Sequence, residues 1–135
     1  MRSISLLLIG AAIAGCSTAP PPPAMRTAQG QEQFQRLLAG KVAGPPTSCL
    51  PSYRASDMRV IDEDTVIFRQ SANRVYLGHF AGGCNMLGQA GYALVTRQVG
   101  SSGLCSGDIA TVVDTHNGFT VGSCVIGDFV PYTAG

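Results

Sequence analysis

The sequence predicts a small, mainly β protein: an antiparallel meander of five or six strands, free to roll or close like a barrel, led by one short helix and stapled by disulfides. Three observations carry this reading. Short runs rich in β-branched and aromatic residues recur through the second half of the chain, turn clusters separate them, and four cysteines lie among them. Short connections imply antiparallel neighbours.

Residues 1–15 read as an export signal. Arg2 supplies a positive start, and Ile4 to Ala14 form an uncharged apolar run. At ~1.5 Å rise per residue this run covers roughly 16 Å, about half of a ~30 Å hydrocarbon core, so it fits a signal-peptide h-region better than a membrane span. The run ends in Ile13-Ala14-Gly15-Cys16, which resembles the bacterial lipobox. That resemblance implies cleavage before Cys16, acylation of its thiol and amine, and attachment to a membrane. Several acyl chains, at about 0.8 kcal/mol per buried CH2, hold far better than one. Ser17 is not the aspartate that retains lipoproteins at the inner membrane, so the resemblance points to the outer membrane, facing the periplasm.

Residues 16–28 form a spacer. Four consecutive prolines, Pro20 to Pro23, favour extended polyproline II and cannot build a core. Residues 29–135 form one small domain. Gln29 to Ala39 is the helix, because Phe34, Leu37 and Leu38 share one face, and Gly40 with Gly44-Pro45-Pro46 stops it. A helix with a single apolar stripe needs a sheet to lie against.

The β region runs from 49 to 132, with strands at Met58–Ile61, Val66–Arg69, Arg74–Phe80, Tyr92–Arg97, Ile109–Asp114 and Phe119–Val125. Turns fall at Asp62-Glu63-Asp64, Ser71-Ala72-Asn73, Gly100 to Gly103 and Asn117-Gly118. Asn117-Gly118 predicts a two-residue type I′ hairpin. That turn sets His116 opposite Phe119, Asp114 opposite Val121, Thr111 opposite Cys124 and Ile109 opposite Ile126. Both faces of this hairpin are then apolar, Val112, Phe119 and Val121 on one and Ile109, Val113 and Ile126 on the other, so both need cover.

With Cys16 given to lipid, Cys49, Cys84, Cys105 and Cys124 remain, an even number that reads as two disulfides in an exported chain. Cys105 lies six residues before Thr111, roughly 20 Å along the strand, which disfavours Cys105–Cys124. In a meander that closes on itself, the start of the first strand and the end of the last share one end. This favours Cys49–Cys124 with Cys84–Cys105.

Charged residues make up 13% of the chain and the formal net charge is +1, with no basic stripe, so nucleic-acid binding is not expected. No C-x2-C pair suggests a metal, and no cofactor motif is present; Gly78 to Gly91 lacks both the P-loop ending and G-x-G-x-x-G. His116 and Asp114 fit a base and its orienter on one strand face, yet no serine elbow or reactive cysteine accompanies them. The acidic triplet reads as a turn, since glycosidase chemistry needs two carboxyls across a cleft. Arg59, Arg69, Arg74 and Arg97, on neighbouring strands, form a candidate patch for an anionic envelope component. The longest connection, Ala81–Gly91, is the expected place for a partner protein to touch.

Several stretches taken together resemble a family of small proteobacterial envelope proteins classed as a domain of unknown function. They are Cys49-Leu50-Pro51, Met58-Arg59-Val60-Ile61-Asp62, Thr65-Val66-Ile67-Phe68, Arg74-Val75-Tyr76-Leu77, Gly83-Cys84 with Leu87, Leu104-Cys105-Ser106-Gly107-Asp108-Ile109, and Cys124 through Tyr132. The resemblance spans about Leu37 to Tyr132 and implies a Gram-negative envelope address without an activity. The expectation is therefore a membrane-anchored lipoprotein with a non-enzymatic binding or structural role. The alternatives are a lysozyme-inhibitor-like module that inserts a loop into an enzyme cleft, and a hydrolase of envelope polymers using His116 and Asp114.

Overall fold

Thr27 caps the first helix: its hydroxyl accepts from the Gly30 amide at 3.0 Å. Helix α1 spans Ala28–Leu38, within a residue of its expected limits, and Gly40 at φ +68° turns the chain away after it. The computed structural model describes residues 26–51, 54–97 and 103–135; Cys16, the expected signal peptide and most of the expected spacer lie outside these.

Seven strands follow: β1 (Lys41–Ala43), β2 (Met58–Val60), β3 (Thr65–Arg69), β4 (Arg74–Ala81), β5 (Tyr92–Thr96), β6 (Ile109–Asp114) and β7 (Thr120–Ala134). All pairings are antiparallel, and the sheet curls into a half-barrel. The mainly β class, the helix and the stapling match the sequence reading. The strand order is β2-β3-β4-β7-β6-β5, with β1 also on β7. Two meanders, β2-β3-β4 and β5-β6-β7, are thus joined by pairing β4 with β7, where a simple meander would have put β4 beside β5.

The inside of the curl holds the larger core. Val66, Phe68, Tyr76, Phe80, Ala110, Val112, Cys124, Ile126 and Phe129 point there, closed over by Leu50, Leu87 and Leu104. Phe129 and Phe68 meet edge to face, with centroids 5.8 Å apart and planes at 76°. Gly78 pairs with Phe129 in the ladder, and a Cβ on it would lie 3.2 Å from the Phe129 ring. The outer face carries α1: Phe34, Leu37 and Leu38 pack on Ile61, Ile67, Val75 and Leu77, the helix stripe the sequence identified. Gly30 lets the helix approach closely, since a Cβ there would sit 2.6 Å from the Ile61 carbonyl oxygen.

The β6–β7 register differs from expectation by one residue. Type I′ needs φ > 0 at both central positions, but only Gly118 (φ +75°) has it; among non-glycine residues described, Met86 alone is positive. Asp114 is the cause. Its carboxylate accepts from the His116 amide (2.8 Å) and the Asn117 side chain (3.0 Å), and Asn117 Oδ1 accepts from the Phe119 amide (2.9 Å). These side-chain turns lengthen the loop, so the Asp114 carbonyl accepts from Gly118 at 2.8 Å. Ala110 therefore faces Cys124 and Ile109 faces Val125, with a bulge between Val112 and Val113. A one-residue slip exchanges faces. Ala110, Val112, Cys124 and Ile126 are buried together, whereas Val95, Ile109, Phe119, Val121 and Val125 are exposed. The second apolar face is real, and among the described residues nothing covers it.

The disulfides are Cys49–Cys105 and Cys84–Cys124, with Cα separations of 4.0 and 5.2 Å. This corrects the expected Cys49–Cys124 and Cys84–Cys105 pairing, which assumed a closed meander. Because β4 pairs with β7, Ala81 lies opposite Val125, and Cys84, three residues on, falls beside Cys124. Cys49 forms its own antiparallel bridge with Cys105.

Candidate functional site

A groove opens where β4 and β7 run past the segment that leaves β1. Its floor comes from alternate residues of the two strands: Arg74 pairs with Thr133 and Tyr76 with Pro131, all four on the inner face. Its wall is the strap Gly44 to Pro51, contributing Gly44, Pro45, Thr47, Cys49 and Pro51. The strap cannot form a regular strand, since Pro45 and Pro46 lack N–H groups. Instead it is tacked down at intervals. Gly44 donates to the Pro131 carbonyl (2.7 Å), Thr47 and Phe129 exchange two bonds (2.8 and 2.9 Å), Leu50 donates to Leu104 (2.9 Å), and Cys49 is cross-linked to Cys105. The result is a fixed groove of about 460 Å³, a size typical of small-ligand sites.

Its chemistry is one-sided. Among the described residues no carboxylate lines it, and no ion pair or hydrogen bond engages the Arg74 guanidinium. Tyr76 is only 6% exposed. Among the described residues no partner holds its phenol and no buried side-chain oxygen lacks one, so the hydroxyl is not sealed in the core, and Tyr76 lines the groove.

The Ala81–Gly91 connection is held at several points. Cys84 is bonded to Cys124, its amide donates to the Glu63 carbonyl (2.7 Å), and the Met86 amide donates to Glu63 Oε1 (3.0 Å). Leu87 is buried beneath the curl, while Asn85, Gly88, Gln89 and Ala90 are exposed. Met86 adopts φ +70°, a strained choice for a side chain of its size, kept by the contacts on either side. The loop is a rigid floor with an exposed rim.

No family model, no curated protein and no solved structure matches this chain. The site therefore has to be read from its own residues.

The other sequence candidates are spread across the fold. Asp114 and His116 do meet, with Oδ1 3.3 Å from Nδ1, but the His116 side chain is 83% exposed and Asp114 is engaged by its turn. The His116 amide, above all, holds the Asp114 carboxyl below its ordinary range. The acidic triplet is a turn, as expected, but a working one. Asp62 binds Arg26 Nε at 2.7 Å, Glu63 anchors the loop, and the Asp64 carbonyl accepts from Phe80 at 2.9 Å. The four arginines do not assemble. Arg59 lies on β2 and donates to the Ser56 and Met58 carbonyls (2.8 Å each), and Arg97 follows β5 at the opposite end of the strand order. Arg69 shares the helix side of β3 with Ile67, leaving Arg74 alone on the groove. Sequence reasoning missed the groove because its floor depends on the β4–β7 register. The alternation Arg74-Val75-Tyr76 and Pro131-Tyr132-Thr133 carried the signal once those strands are known to pair.

Arg26 fixes the domain's entry point. It bonds Asp62 and Thr65 and stacks 4.2 Å over the Phe34 ring. Burial alone raises the Asp62 pKa, but the bonds from Arg26, Asp64 and Thr65 together outweigh it and leave it lowered. A lowered carboxyl stabilises the fold above its unfolded value near 3.8, and that contribution is lost as pH falls through the folded value. Asp62→Asn should cost about 1–2 kcal/mol at neutral pH, and the gap from wild type should narrow below about pH 4. Urea melts across pH would show it; a gap that persists undiminished in acid would disprove the charge origin.

Proposed function

We propose that this chain is a lipid-anchored protein of the bacterial cell envelope, attached through Cys16 to the outer membrane on its periplasmic side, with a binding rather than a catalytic role. The observation that carries the reading is the fate of the cysteines. The chain has five, four are paired within the domain, and the odd one follows an apolar run that ends Ile13-Ala14-Gly15. Paired cysteines suit an oxidising compartment. No described helix is long and apolar enough to cross a membrane, so acylation would supply the attachment. Binding is favoured over catalysis because the Asp114–His116 pair serves a turn, whereas the groove offers a cation and a hydroxyl in a fixed frame. The resemblance of residues 37–132 to small proteobacterial envelope proteins, read from the sequence alone, points to the same address.

Expression of the full chain in a Gram-negative host with an alkyne-bearing fatty acid tests this. The wild type should take up label and sediment with outer membranes. Cys16→Ser should lose the label and most of the sedimentation while keeping both disulfides. Label-free, soluble wild type would refute the anchor.

A further inference from the structure

We propose that the groove between the Gly44–Pro51 strap and the β4–β7 ladder binds the free α-carboxylate end of a short peptide. This deepens the binding role above and rests on it, but not on the lipid anchor. The charge decides the terminal group. Among the described residues Arg74 is the one charged group lining the groove, so the site is complementary to a single negative charge. A guanidinium presents parallel N–H donors that match the two oxygens of a carboxylate. A phosphate monoester carries about −1.5 to −2 charges at neutral pH, and among the described residues neither a second cation nor a helix start lines the groove to balance it.

The remaining lining suits the residues that precede such a carboxylate. Pro45, Pro51, Pro131 and the Cys49 side chain offer apolar walls for small side chains. The Tyr76 hydroxyl is placed to donate from a ring that burial holds still. Thr47 donates its own proton to the Cys49 carbonyl at 3.3 Å, so its oxygen is left as an acceptor for a peptide N–H. Thr133 adds a third hydroxyl. The strap is already tied at Gly44, Thr47, Cys49 and Leu50, so little ordering cost falls on binding.

The test uses the full chain purified in detergent and a fluorescein-labelled tri-alanine with a free C-terminus, beside its C-terminal amide, read by fluorescence anisotropy. The acid should bind at least about tenfold more tightly than the amide, the loss expected for a charge-assisted pair. Arg74→Gln should lower affinity for the acid about tenfold and leave the amide unaffected, and Arg74→Lys should recover only part of it. Tyr76→Phe, which keeps the ring, should weaken the acid by a few-fold, with thermal melting unchanged in each variant. Equal binding of acid and amide, no saturable binding at millimolar peptide, or an Arg74→Gln variant that binds as well as wild type would each overturn the proposal. So would competition by inorganic phosphate as effective as that of unlabelled tri-alanine, which would make this a phosphate site. Failure here would leave the acylation result standing, so the two readings fail separately.

Discussion

Replacing Cys84 and Cys124 together by alanine is expected to lower stability by about 4 kcal/mol. The cross-link joins positions 40 apart, and chain-entropy estimates for a loop of that length give about 3.9 kcal/mol. Cys49–Cys105, with a separation of 56, gives about 4.2 kcal/mol on the same basis. The surroundings should separate the pairs. Cys84 is 0% exposed and Cys124 4% exposed, so removing their sulfurs also opens space beneath the Ala81–Gly91 floor, whereas Cys49 is exposed. The Cys84/Cys124 double variant should therefore be the weaker of the two in urea under non-reducing conditions. For a domain whose total stability is of order 5–15 kcal/mol, losing both bridges should leave it unfolded. Peptide mapping of unreduced protein checks the premise: a Cys84–Cys105 peptide would contradict the β4–β7 pairing itself.

Phe129→Ala should cost about 3–5 kcal/mol and lower the melting temperature by at least about 10 °C. Three relations converge on this ring. It is 0% exposed, it stands edge to face with Phe68, and it covers Gly78, which has no side chain to fill the space left. It also follows the irregularity in β7 opposite Gly78 and Phe80. Phe119→Ala provides the contrast. Its ring is 70% exposed, and the change should stay within about 0.5 kcal/mol. Equal losses at both positions would mean that the core does not lie inside the curl.

The helix and six strands were legible because each depends on local pattern: Phe34, Leu37 and Leu38 on one stripe, and short β-branched runs between turns. What was not legible depends on partners distant in the chain. β1 is three residues long and exists because Lys41 to Ala43 meet Tyr132 to Ala134. β7 continues well past Val125 despite Pro131, because a proline is tolerated where its missing N–H breaks no ladder bond. The hairpin register departs from the type I′ expectation for a local reason: Asp114 stands three residues before Asn117 and competes for the turn. The groove needed the long-range register, and with it the correct cystines.

The fifteen residues of β7 touch β1, β4 and β6, so the last strand in chain order is the one on which both meanders assemble. Partners so far apart along the chain make for slow assembly. Until Thr120 to Ala134 are present, Ile126 and Phe129 are missing from the inner core, and the earlier strands have no common neighbour to close against. The strand that both halves of the sheet share is therefore the last to be made.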